Sequence, residues 1–390
     1  MDLTKESTPS NSTIFVAAEN SQLTRISVED VKHEEVPAKT IPEFPEGGRA
    51  AWATALGALV FSKFCGFGYT TSFGVYQDFF VQHYLTNESA STIAWIGSLN
   101  AFLTVACSIV SGPLYDRGYF YHLMISGALL QSFSLFMLSL AKPGGFYQVF
   151  LTLGLGNGLG QGLLYVPTMA VVSQYFRRRR TFVMTLVASG SSVGSVIHPI
   201  MLNNLLNGPV GFATSVRASA GLVSVLLLIA CLLMRTRLPP PAIKASYFQV
   251  AKRASSDSAF VLVTIGSLLF CSGYYYPYFY LQLDSVLHGL SESFSFYTVI
   301  VHTFPQLVIL NASSFVGRFT SGFLVRYIEV PAFITIAAVG CSAVIFGMIG
   351  LGSLASSVLI GITFGYFAGV FIAMMSPLVA TLTPDLSELG

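Results

Sequence analysis

Four consecutive arginines, Arg177 to Arg180, stand between two stretches without charge, Phe146 to Val172 and Thr181 to Leu206. Each stretch exceeds the roughly 20 apolar residues that a helix needs to cross hydrocarbon. Four cations cannot rest in lipid, so the arginines form a turn in water. Short arginine-rich loops are held on the cytoplasmic side, which sets the direction of the neighbouring segments. Helices are the expected form, since an open sheet would leave backbone groups unpaired in lipid.

Counting outward gives ten apolar stretches: 50–79, 92–113, 121–141, 146–172, 182–204, 212–234, 259–283, 295–324, 331–350 and 354–378. Only 10% of residues are charged, against about 25% in a soluble domain. The net charge of +2 offers no basic face for nucleic acid. The five cysteines fall inside apolar stretches with no CxxC spacing and read as small hydrophobes. The fold class is therefore all-α, a polytopic membrane protein. The apolar run Ile14 to Ala18 is too short for a secretory signal. Of the 20 lysines and arginines, 16 fall on alternate segments starting with the amino-terminal tail, which places both termini in the cytoplasm.

Residues 1–45 are polar and without period, so they read as a disordered cytoplasmic tail. Residues 46–234 form a six-helix half, 235–258 a cytoplasmic linker with Pro239 to Pro241, and 259–390 an incomplete half of four helices. The halves look like offset copies: Gly112 to Arg117 closes span two and Gly322 to Arg326 closes span eight, about 210 residues later. A parallel repeat of this kind is the pattern of a transporter made of two six-helix halves.

Charges within spans are the sharpest signals of function. Lys63 lies 11 residues beyond Trp52, about 16 Å into the membrane at 1.5 Å per residue. A lysine there costs about 3 kcal/mol on the lenient insertion scale and so should face water or a partner. Arg318 precedes Arg326 by eight residues. It either snorkels to the cytoplasmic interface or binds a carboxylate in a cavity. In span four Asn157, Gln161 and Tyr165 are four apart and share a face, directed at a cavity or at a neighbouring helix. His198 and His302 are candidate proton relays, or simply bond a neighbour. In the aromatic run Tyr274 to Tyr280, Pro277 should kink span seven, and Tyr276 and Tyr280 share a face at the interface or on the substrate path. Asn87-Glu88-Ser89 is a glycosylation sequon in an outward loop. Asp116 and Arg117 lie in the very short turn Gly112 to Gly118. No metal cluster or nucleophilic triad is visible, so neither an enzyme nor a cofactor is expected.

Two signatures resemble a fungal member of the monocarboxylate transporter family of the major facilitator superfamily. Before span one, Glu46, Gly47, Gly48 and Trp52 match the family's acidic–glycine–tryptophan signature, with Arg49 in place of its first tryptophan. At span five, Tyr175, Phe176, Arg179, Arg180, Gly190, Ser191 and Gly194 match, and Arg178 keeps the charge of a lysine. Phe182, Val183, Thr185, Val187 and Ser189 depart from the pattern. The Gly112 to Gly118 turn is similar to the superfamily's loop signature, and the likeness runs over residues 42–390.

The resemblance implies a major facilitator fold with about 10 of the usual 12 helices and alternating access. It also implies an anionic substrate, often carried with a proton. Asp116, Arg117, Arg178, Arg179 and Arg180 become the gating candidates. The animal carriers use a span-one lysine and a span-eight Asp–Arg pair. Arg318 matches that arginine, Ser314 stands at the aspartate, Thr70 or Thr71 at the lysine, and Lys63 lies off register. The last residues, Pro384 to Gly390, resemble the loop before span eleven, so the chain is expected to be truncated or completed by another. The expected function is secondary active transport of a small organic solute, a carboxylate or related metabolite, across the plasma membrane or, as the alternative, a vacuolar or other internal membrane. Its alternatives are efflux of a fungal secondary metabolite and a transport-inactive scaffold or receptor. The partners are the bilayer, the solute and a candidate proton.

Overall fold

The computed structural model describes residues 45–239, 247–287, 305–350 and 353–382. The tail assigned to residues 1–45 lies outside them but for Pro45, and His302 lies outside them too. The described residues are helical throughout, without a strand. Ten helices follow the apolar stretches: α1 Arg49–Tyr84, α2 Ala90–Asp116, α3 Phe120–Leu138, α4 Phe146–Ser173, α5 Arg180–Leu206 and α6 Phe212–Leu233, then α7 Ser258–Leu287, α8 Pro305–Leu324, α9 Val330–Gly347 and α10 Leu354–Leu382. By length and apolarity eight of them qualify as membrane spans among the described residues. In α7 the apolar part is the shorter Ser258–Tyr274, and the residues just before α8 lie outside those described. Ile109, Leu232 and Phe346 are 80%, 70% and 73% exposed and put apolar side chains on the outer faces of these helices.

Helices α1 to α6 share one continuous apolar core in which Phe61, Tyr69, Tyr76, Phe80, Val171, Val187, Val216 and Ala230 are buried. Separate apolar clusters join α9 to α10 around Ala337 and Met374, and α8 to α10 around Leu310 and Phe364. Between lipid and core, hydrophobicity does not choose partners, so shape does. A Cβ built on Gly194 of α5 would lie 2.7 Å from the Phe64 carbonyl oxygen and 2.9 Å from the Gly68 Cα of α1. Only glycines let these two backbones touch. The opposite side of α5 meets α8: Phe182 packs edge-on to Phe323 at 4.9 Å, and Ser192 donates to Ser314 at 3.3 Å. Helix α5 is thus clamped between α1 and α8, and whatever α1 and α8 carry at that depth is brought together.

Two helices depart from α geometry. Leu59–Phe67 and Phe80–Tyr84 of α1, and Phe150–Gly156 of α4, are wound as π-helix. Such turns are rare and concentrate at functional sites. The first contains Lys63 and the third ends at the residue before Asn157.

Candidate functional site

Lys63 projects from the π-wound part of α1 into a clamp of two rings. Its Nζ lies 4.8 Å from the centroid of Phe67 and 4.7 Å from that of Tyr165 on α4, and the two rings stand edge to face at 5.0 Å. Ring faces attract a cation, worth about 2 kcal/mol where water is excluded, which offsets part of the insertion cost. Lys63, Phe67 and Tyr165 are only partly covered, so the clamp has an open side.

Arg318 does not snorkel. It is 5% exposed, and its guanidinium donates to the Ala188 carbonyl at 2.7 Å and to the Ser191 hydroxyl, both on α5. Lys63 on α1 and Arg318 on α8 are carried by the two helices that pack on either side of α5. Among the described residues no carboxylate pairs with either. Two like charges inside the bundle, held by rings, a carbonyl and a hydroxyl, are a set of groups that an anion would complete.

Beside the clamp lies a neutral cluster. Gln161 Oε1 accepts from Thr70 at 2.8 Å and from Thr104 of α2 at 3.0 Å. Thr70 also reaches Asn100 Oδ1 at 3.1 Å, while the Asn100 amide donates to the Leu153 carbonyl at 2.8 Å. Gln131 of α3 donates to the Cys65 carbonyl inside the π stretch at 2.8 Å. Asn157, Gln161 and Tyr165 do share one stripe of α4. The first two are 1% and 2% exposed, and both Asn157 side-chain atoms and Gln161 Nε2 have no partner. Asn100, Thr104 and Gln131 were missed in the sequence, because single polar residues in apolar helices usually serve as local glue.

The other predicted residues fall elsewhere. His198 is fully buried on α5, its ring 4.6 Å from Phe64 and 5.2 Å from Tyr69. Tyr276 is 47% exposed on α7, and Tyr280 falls outside the described side chains. Asn87 is exposed in the turn between α1 and α2, where Ser89 caps α2 by accepting from the Thr92 N–H at 3.1 Å.

Between α4 and α5 the four-arginine turn is organised by Glu46. Its carboxylate accepts the backbone N–H of Arg177, Arg178 and Arg179 at 2.8, 2.5 and 3.2 Å, and its own N–H donates to the Tyr175 carbonyl at 3.2 Å. Three amides converging at the start of α5 make an anion nest. Slight burial pushes the carboxyl up, but these amides and the Arg178 charge outweigh it and hold the pKa below its ordinary value. Gln174 extends the knot, accepting from the N–H groups of Arg237 and Leu238 at 2.9 and 3.1 Å and donating to Tyr115 at 2.8 Å. Arg117, Arg178 and Arg179 are exposed, Arg180 and Asp116 partly covered.

Comparison with known proteins sets this arrangement among transporters. The family profile described as Major Facilitator Superfamily matches residues 50–389. The chain is 34% identical over 348 residues to the aspyridones efflux protein apdF of Emericella nidulans, covering 89% of this chain and 68% of that one. It is 34% identical over 356 residues to the fujikurins efflux protein of Gibberella fujikuroi, covering 89% and 72%. Its fold is similar to that of the nucleoside transporter NupG, with a TM-score of 0.60 at 16% identity over 87% of this chain and 85% of that one.

Proposed function

The chain belongs to the Major Facilitator Superfamily, and from that premise we propose that it exports an anionic organic metabolite by alternating access. The protein is a multi-pass membrane transporter of a small solute; direction, substrate charge and site are our reading. The observation that carries it is the pair Lys63 and Arg318, two cations inside the helix bundle with no carboxylate partner among the described residues. Two relatives named as efflux proteins support the outward direction. So does electrostatics: a monoanion leaving an inside-negative cell gains about 2.3 kcal/mol per 100 mV, so export needs no accompanying proton. This favours export over the monocarboxylate–proton symport of the family first suggested.

In this account residues 46–234 and 259–390, joined by 235–258, rock about the site. The seam from Phe182–Phe323 to Ser192–Ser314 separates and re-forms, and Arg318 exchanges its α5 acceptors for the solute. The plasma membrane is the proposed location. The test is an untargeted comparison of medium and cell extract from a host expressing the chain, Lys63→Met or Arg318→Met. Acidic metabolites enriched in the medium only with the unaltered chain are the expected result; equal enrichment with all three sinks the proposal.

A further inference from the structure

One side chain of α3 reaches the stretch of α1 that carries Lys63. Gln131 is fully buried, and its Nε2 donates to the Cys65 carbonyl at 2.8 Å. A carbonyl oxygen only accepts, so the nitrogen is the end of the amide that faces it. Cys65 lies in the π-wound segment Leu59–Phe67, midway between Lys63 and Phe67, the α1 ring of the clamp. Gln131 Oε1 has no partner among the described residues. A buried oxygen left unpaired costs at least as much as one neutral hydrogen bond returns, so stability alone does not account for this residue. The base from which Gln131 reaches is rigid. A Cβ built on Gly160 of α4 would lie 2.7 Å from the Gln131 backbone nitrogen, and one built on Gly127 of α3 2.9 Å from the Gly160 carbonyl oxygen. Helices α3 and α4 therefore meet backbone to backbone at the residue that touches α1. Tyr165, the other ring of the clamp, stands on α4 just beyond that joint and meets Phe67 at 5.0 Å. The two rings thus come from the two sides of the tie that Gln131 makes.

We infer that Gln131 is a positioning residue for Lys63: its bond to the Cys65 carbonyl holds α1 in its π winding and in register with α4, and so sets where the lysine meets the solute's anion. The inference rests on the anion reading above and names a residue that serves it. A π turn passes its bonds to the fifth residue rather than the fourth. Relaxed to α winding, the parts of α1 on either side would rotate against each other by about 100°, one residue's share of a turn. Lys63 would then lose its place between Phe67 and Tyr165.

Binding of benzenesulfonate to the purified full chain is measured by titration calorimetry, beside thermal unfolding and hydrogen–deuterium exchange of residues 59–70. Gln131→Met keeps the length of the side chain and loses its donor. The control is Ser134→Ala, which removes a buried hydroxyl of α3 that faces Gly156 of α4. Gln131→Met is expected to stay folded, to exchange faster in residues 59–70 and to bind about fivefold more weakly, the effect of one lost hydrogen bond. Ser134→Ala should change neither exchange nor binding. In a Lys63→Met background, itself weakened about tenfold, adding Gln131→Met should cost less than about twofold more, because the lysine it places is gone. In an Arg318→Met background it should again cost about fivefold. Binding and exchange unchanged in Gln131→Met overturn the inference. So does a loss that adds in full to that of Lys63→Met, which a merely structural role would give. Either result leaves the anion reading standing on the effect of Lys63→Met itself. Binding undiminished in Lys63→Met, or absent from the unaltered chain, overturns the anion reading and this inference with it.

Discussion

Gly194→Ala should loosen the joint on which the site depends. The added Cβ would meet the Phe64 carbonyl oxygen at 2.7 Å, about 0.7 Å inside the 3.4 Å at which ordinary contact begins. The atoms it would meet on α1, the Phe64 carbonyl oxygen and Cα and the Gly68 Cα, are all backbone, so no side chain can swing aside. Helix α1 or α5 must shift, and α5 is already held on its far side by α8. Overpacking of this kind costs about 1–3 kcal/mol, which for a body of a few hundred residues is a fall in Tm of about 2–10 °C. The control is Gly221→Ala on α6, where a Cβ meets nothing within 4 Å; there the better helix propensity of alanine, about 1 kcal/mol, should leave Tm unchanged or raised. The assay is thermal unfolding of detergent-purified protein followed by loss of the monodisperse peak. Gly194→Ala as stable as Gly221→Ala would refute the claim that α1 and α5 meet backbone to backbone. Gly68→Ala, whose Cβ would reach the Gly194 Cα at 2.7 Å, should behave likewise, and the double variant should cost less than the two together, because the first shift makes room for the second.

Other consequences concern charge, rings and the seam. Because amide donation lowers the Glu46 carboxyl, its hold on the arginine turn is complete above the ordinary carboxyl value of 4.5 and is lost as pH falls through the lower folded value. The protection factors of the amides of residues 177–179, taken against the intrinsic exchange rate at each pH, should therefore be high at neutral pH and fall under acid, and in Glu46→Ala they should be low throughout. Phe182→Cys with Phe323→Cys, whose rings pack at 4.9 Å, should form an oxidative cross-link that stops transport and restores it on reduction; unhindered transport by the cross-linked form would contradict the moving seam. Tyr165→Leu removes one wall of the Lys63 clamp and should weaken carboxylate binding severalfold in calorimetry, given about 0.5–2 kcal/mol for a cation–π contact.

The membrane helices were legible because crossing hydrocarbon demands a length of apolar residues that the chain cannot disguise. Lys63 and Arg318 were legible for the converse reason, since a charge inside such a length is conspicuous. Their surroundings were not. That Arg318 would lie against Ala188 and Ser191 rather than run to the interface depends on how closely α5 approaches α8, which follows from Ser192, Ser314 and the glycines acting together. The stripe of Asn157, Gln161 and Tyr165 could be read from spacing, but the meeting of Gln161 with Thr70 and Thr104 joins residues from three helices. The π turns shift the register of α1 and α4, and nothing in the composition of Leu59–Phe67 or Phe150–Gly156 announces them. The Glu46 knot was visible only as a matched signature; its physical meaning, a carboxylate in a nest of three amides, needed the fold.

The most direct test of the account is efflux of labelled benzenesulfonate from proteoliposomes holding the full chain. That anion stays charged at any working pH and does not leak as a neutral acid. Efflux well above that of protein-free liposomes, cut at least tenfold in both Lys63→Met and Arg318→Met while all three proteins keep the same unfolding temperature within error, is the result the account predicts. Efflux at the unaltered rate through either variant would show that Lys63 and Arg318 do not receive the solute's charge, and the anion reading would fall.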